Sequence, residues 1–226
     1  MTDRYGERWV LSGGLLLTAL AAAGAAIAST GLHPGQQPAQ GTLLILGGFL
    51  LVTGMAAAST NAASGRVVIG WFPARRRGLA MGIRQTCQPL GVAVAAVTVP
   101  TLSSAVNAGA AFLFGALLTA LCAAACVLWI VNPPRSTAAR MPTARPNPYR
   151  ANGVLWRIHL ASALLVVPQF TLSTFGLVWL VSEQRWMPLA AGVLIGVSQF
   201  VAALGRIGVG MLSDRLGTRL LPLRWV

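Results

Sequence analysis

The sequence predicts an all-α, polytopic membrane bundle of six transmembrane helices, and three observations predict it. The first is composition: 226 residues, 55% hydrophobic and only 9% charged, with mean hydropathy +0.69. Soluble domains carry about a quarter charged residues. The second is the spacing of charge, which is absent from residues 9–65, 85–134 and 158–182. A helix crosses the hydrocarbon in about 20 apolar residues, so each of the first two intervals holds two crossings. The third is that all 17 basic residues are arginines gathered in alternate loops. Backbone groups in lipid must be bonded internally, and the alanine-rich run 19–28 lacks the alternation of a barrel strand, which leaves helices.

The six spans, in order, are 9–30, 42–69, 78–99, 109–131, 154–181 and 189–212. Gly31, Pro34, Gly35 and Pro38 divide the first from the second, and Pro100 begins the break after the third. Pro89 is expected to kink the third span and Pro168 to interrupt the fifth. A cleaved leader at 10–28, flanked by Arg4 and Arg8, is the competing reading of span one; its apolar part is long for that role and five more spans follow.

Orientation follows from the arginines. Arg4 and Arg8 precede span one, Arg75, Arg76 and Arg77 lie between spans two and three, and Arg135, Arg140, Arg145 and Arg150 lie between spans four and five. Arg215, Arg219 and Arg224 follow span six, whereas loops 31–41 and 100–108 hold none. With Arg66, Arg84, Arg157 and Arg206 taken as membrane-flanking, only Arg185 falls on the other side. Both termini are therefore expected in the cytoplasm. The proline- and arginine-rich stretch 132–153 reads as a cytoplasmic linker between a four-span block, 1–131, and a two-span block, 154–226.

The net charge of +13 suggests nucleic acid only if the arginines share a polar surface, and here they bracket apolar spans, so no nucleic-acid partner is expected. Three cysteines in a chain of this length do not make a disulfide scaffold. Without lysine there is no Gly-Lys phosphate loop. Asp3, Glu7, Glu183 and Asp214 all sit at span edges, so neither an enzyme nor a carboxylate proton relay is visible. Cys122 and Cys126 stand at helical i, i+4 spacing with no His or acid nearby and read as packing residues; no metal or cofactor is expected. His159, at the start of span five, reads as interfacial rather than proton-carrying.

Residues 3–8, Asp-Arg-Tyr-Gly-Glu-Arg, share the pattern D-R-x-G-x-R with residues 214–219, Asp-Arg-Leu-Gly-Thr-Arg, and Gly210-Met211-Leu212-Ser213 precedes the second copy. Together these resemble the cytoplasmic loop signature of the major facilitator superfamily, found after its second and eighth helices. Gly70-Trp71-Phe72-Pro73-Ala74-Arg75-Arg76-Arg77-Gly78-Leu79-Ala80-Met81-Gly82 is similar to that family's link between its fourth and fifth helices. The resemblance implies a partial fold of that family, its third to eighth helices, joined by the linker between its two halves. It also implies a multi-pass plasma-membrane transporter of a small solute that works by alternating access. The lipid bilayer and that solute are the expected partners. On this alignment two helices upstream and four downstream are missing, and the chain is expected to be a truncated or inactive fragment. The alternative is a genuine six-helix protein that self-associates to complete a pathway or serves as a non-transporting scaffold.

The resemblance implies latch roles for Asp3, Arg4, Gly6 and Arg8 in the first loop, and for Gly210, Asp214, Arg215, Gly217 and Arg219 in the second. Asp214 is expected at the N-terminus of span three, beside Arg77 and Gly78, where a helix dipole favours negative charge. Asp3 has its counterpart target in a helix this chain lacks. Pathway candidates are the polar side chains within spans. Arg84, Gln85 and Gln88 share one face of span three, with Arg84 about two turns from its cytoplasmic end. A guanidinium there suits a carboxylate or phosphate, hence an anionic solute; the competing reading is an arginine snorkelling to the interface. Gln169 in span five and Gln199 in span six carry amides ill-suited to lipid, and Gln88 and Gln199 are expected near one cavity. Asn61 and Ser64 are expected at the cytoplasmic mouth. Gln88 stands where the family's antiporters have a glycine before the proline, so proton-driven export is not supported.

Overall fold

The computed structural model describes residues 6–31, 39–134 and 153–217. Among these, helices account for nearly every residue and six spans are long and apolar enough to cross a membrane. They are α1 (Glu7–Ala28), α2 (Gln40–Trp71), α3 (Arg77–Gln85) with α4 (Cys87–Ala105), α5 (Ala108–Trp129), α6 (Val154–Ser182) and α7 (Pro188–Leu216). Helices α3 and α4 form a single crossing, interrupted only at Thr86. The charge-free intervals thus divide into crossings as expected.

Several ends differ from the sequence reading. The third crossing does not stop at Pro100; it runs on to Ala105, and the turn comes at Val106 and Asn107, where the Asn107 side chain accepts the Ala110 N–H at 2.9 Å and caps α5. Pro168 likewise lies inside a continuous α6. Proline removes one backbone donor, and a membrane helix tolerates this when a neighbour takes up the freed carbonyl. The break expected at Pro89 appears three residues earlier. There the Thr86 N–H donates to Ile83 O at 3.1 Å, a tightened turn, with Thr86 remaining right-handed, so the chain continues without a sharp bend.

Packing uses small residues, because lipid is as apolar as leucine and gives large side chains no reason to turn inward. The buried apolar set is Leu11 plus alanines, among them Ala19, Ala25, Ala63, Ala96, Ala191 and Ala203. Helix α1 sits between α2 and α5. At Gly14 an added Cβ would lie 2.4 Å from Ser59 Oγ, and at Gly24 2.3 Å from the Phe49 ring. Helix α7 packs along α3 and α4, and α6 packs mainly against α7, its leucines and valines facing outward. Every described tryptophan lies near a helix end: Trp9, Trp71, Trp129, Trp156 and Trp179 within helices, Trp186 in the loop before α7. Indole combines an apolar ring with one N–H donor and prefers the headgroup level. Trp71 meets that preference by donating to Val131 O at 3.0 Å, tying α2 to the end of α5.

Candidate functional site

Where α7 meets the third crossing, glycine sets the distance. A Cβ on Gly78 would stand 2.5 Å from Gly210 O, on Gly82 2.6 Å from Arg206 O, and on Gly192 2.4 Å from Ala96 O. Each step of four along α3 is matched by a step of four back along α7, so the helices run antiparallel in one continuous seam.

Two prolines supply this seam with carbonyls. Pro100 has no N–H to give to Ala96 O, four residues earlier, and that oxygen faces the open side of Gly192. Pro89 frees Gln85 O in the same way, and here the neighbour answers with charge: Arg206 NH1 donates to Gln85 O at 2.9 Å and to Gln88 Oε1 at 3.3 Å. Arg206 is half-buried. Sequence reasoning places it among the membrane-flanking arginines. Its position two helical turns inside Asp214 is the available signal that it meets the third crossing.

At the end of the seam Asp214 caps α3. Its Oδ1 accepts the Gly78 N–H and its Oδ2 the Leu79 N–H, both at 2.8 Å. These are first-turn amides with no partner inside the helix. A carboxylate there gains from both the charged hydrogen bonds and the helix dipole. The contact lies where the resemblance to the family's loop signature implies it, and it joins residues 135 and 136 positions apart. The glycine of each D-R-x-G copy adopts a positive φ, +85° at Gly6 and +65° at Gly217. Gly217 terminates α7 in the left-handed conformation. Gly6 lies against Asn132, whose Oδ1 accepts the Arg8 N–H at 2.9 Å, so these two residues are seated on the end of α5. Arg215 is exposed at the end of α7. Asp3, Arg4 and Arg219 lie outside the described residues, as does most of the 132–153 linker.

The pathway candidates separate. Arg84 is committed to α2: Nε donates to Ser64 Oγ at 2.9 Å, and NH2 contacts both the carbonyl and the side-chain oxygen of Asn61. Arg84, Asn61 and Ser64 therefore form one hydrogen-bonded cluster between α2 and α3. Gln85 and Gln88 are brought together with Arg206. Gln199 is half-buried on α7, and Gln169 is exposed on α6; neither side chain has a hydrogen-bond partner among the described residues. Glu7, expected at a membrane edge, is buried, with Oε1 4.0 Å from Arg66 Nε and no hydrogen bond to Oε2 among the described residues.

A cavity of about 230 Å³ opens between α3 and α7, walled by Arg77, Gly78, Gln85, Arg206 and Ser213 among others. A larger one of about 540 Å³ between α1 and α2 has Trp9, Leu17, Val52 and Met55 on its walls and holds no ionisable group. No cluster of His, Cys, Asp or Glu suited to a metal occurs among the described residues.

Comparison with known proteins agrees with this geometry. The sequence profile of the Major Facilitator Superfamily matches residues 1–224. Two curated relatives, both named as uncharacterized MFS-type transporters, come from the CDC 1551 / Oshkosh and H37Rv strains of Mycobacterium tuberculosis. Each is 46% identical over 228 residues, an alignment covering 100% of this chain and 48% of the relative. The chain thus spans about half the length of the curated relatives it matches. No solved structure matches it.

Proposed function

The chain belongs to the Major Facilitator Superfamily, and from that premise we propose that it forms the central part of a secondary transporter moving a small solute by alternating access. In this reading residues 1–131 supply four helices of the first half, 132–153 the linker, and 154–226 the first two helices of the second half. The membrane is the plasma membrane, and the arginine-rich loops face the cytoplasm, as the positive-inside rule requires.

The observation that carries the reading is the Asp214 cap on α3. It ties a helix of one block to a helix of the other at one end of the seam, while the rest of the seam holds by close glycine contacts and by the Arg206 hydrogen bonds to Gln85 and Gln88. Packed interfaces of this kind switch between discrete arrangements rather than deforming smoothly. A single charged cap at one end acts as a latch: closed, it seals the cytoplasmic side; released, it lets α7 swing from α3.

Alkylation by a membrane-impermeant maleimide tests this. The three native cysteines are replaced by serine, and Met81→Cys places one thiol in the wall of the α3–α7 cavity. Asp214→Asn is expected to speed labelling from the cytoplasmic face several-fold by releasing the latch. Equal labelling rates with and without the Asp214→Asn substitution would sink the latch.

A further inference from the structure

We propose that Arg206 is the anion-recognition residue of the α3–α7 interface, and that the cavity beside it takes a small solute bearing a carboxylate or phosphate. Arg206 lies four residues, about 6 Å, from Ala202, the midpoint of the 29-residue α7, on the side toward Asp214. Charge within a membrane span is unfavourable, so arginines there are held by a partner or serve a site. Arg206 has no carboxylate partner among the described residues. Asp214, the acid on its own helix, has each oxygen on a backbone amide of α3.

The guanidinium is also only partly used. NH1 makes both of its hydrogen bonds, to Gln85 O and Gln88 Oε1. Nε and NH2 have no partner among the described residues and remain free to bind an anion edge-on, the arrangement in which arginine holds carboxylate and phosphate most firmly. Arg84 offers the contrast, with its Nε and NH2 both engaged on α2. Beside Arg206 the seam widens into the 230 Å³ cavity, with Arg77 and Ser213 on its wall. Two guanidiniums against one already bonded carboxylate leave the cavity net positive. Gln85 and Gln88 fix the direction of the fork, because the carbonyl that Pro89 frees has no other donor.

The transporter reading makes such an anion cargo; the binding itself needs no transport and is tested without it. The purified chain in neutral detergent is titrated with inorganic phosphate, and separately with succinate, at constant ionic strength, following thermal unfolding. Saturable stabilisation is expected. Arg206→Gln is expected to weaken the apparent affinity at least about tenfold, while Arg75→Gln, which removes the same charge from an exposed loop, leaves it unchanged. If Arg206→Gln does not fold, Arg206→Lys carries the comparison: loss of the fork is expected to weaken binding several-fold, and wild-type affinity overturns the proposal. A parallel series in phosphatidylcholine nanodiscs, with and without phosphatidylglycerol, identifies the source of the anion. A response to free phosphate or succinate in detergent assigns a soluble solute. An Arg206-dependent response that appears only with phosphatidylglycerol assigns a lipid headgroup. No stabilisation in either series, or equal stabilisation of Arg206→Gln, overturns the site. Failure here leaves the latch experiment standing, and failure of the latch leaves this one standing.

Discussion

Two ionised side chains do different work in the seam, and the difference lies in what each oxygen or nitrogen touches. Asp214 is saturated: both oxygens hold first-turn amides of α3. Asp214→Ala is expected to lower stability by about 1–3 kcal/mol, since two amides lose a charged acceptor. Asp214→Asn keeps one acceptor and is expected to lose less than Ala. Chemical unfolding in mixed micelles ranks the two, and the opposite order would mean that charge rather than hydrogen bonding holds the cap. Arg84 is equally committed, but to Asn61 and Ser64 on α2, within the first block. Its position in the sequence puts it among the pathway candidates, and its hydrogen bonds join α3 to α2. Spacing along a helix establishes which residues share a face. It does not say which neighbouring helix that face meets.

Helices α3, α4 and α7 form a pair of crossings whose approach depends on absent atoms. Gly192→Ala puts a Cβ 2.4 Å from Ala96 O, a backbone atom with little freedom to retreat, and is expected to destabilise by about 1–3 kcal/mol. Gly91→Ala meets nothing within 4 Å and is expected to be neutral or to gain up to about 1 kcal/mol from reduced backbone entropy. Equal effects of the two in a thermal-unfolding assay would remove the seam from the account. Prolines act on the same pair. Pro89→Ala restores an N–H that competes with Arg206 for Gln85 O, so the stability effect of Arg206→Gln is expected to shrink in that background. A double-mutant cycle measures the coupling, expected at about 0.5–1.5 kcal/mol. A coupling of zero would mean that the freed carbonyl does not hold the arginine.

At the scale of the molecule, α1, α2 and α5 form one alanine-lined cluster, α7 leans along α3 and α4, and α6 hangs from α7 with its apolar side chains turned outward. The alternation of arginine-rich and arginine-free loops is the basis of the proposed orientation. In a cysteine-free background, Arg75→Cys is expected to react with an impermeant maleimide from the cytoplasmic face and Ser103→Cys from the opposite face. Reaction from one face would overturn the order of the crossings.

The number of crossings and the two loop copies are legible in the residues, because each depends on a one-dimensional pattern. Runs of about 20 uncharged apolar residues suit a crossing of lipid, and the glycine of each D-R-x-G copy takes a positive φ. The Asp214 contact is anticipated only through the resemblance to the major facilitator loop signature, which implies a helix end for that carboxylate to meet. Helix ends at proline depart from the sequence expectation for a local reason with a distant cause. Pro100 stops a helix in water, but in this bundle the carbonyl it frees faces Gly192, and α4 continues to Ala105. Tertiary structure alone assigns Arg84 to α2 and Arg206 to Gln85 and Gln88. A guanidinium reaches about 6 Å from its backbone, and only the packing of the helices decides which carbonyls and amides lie within that radius.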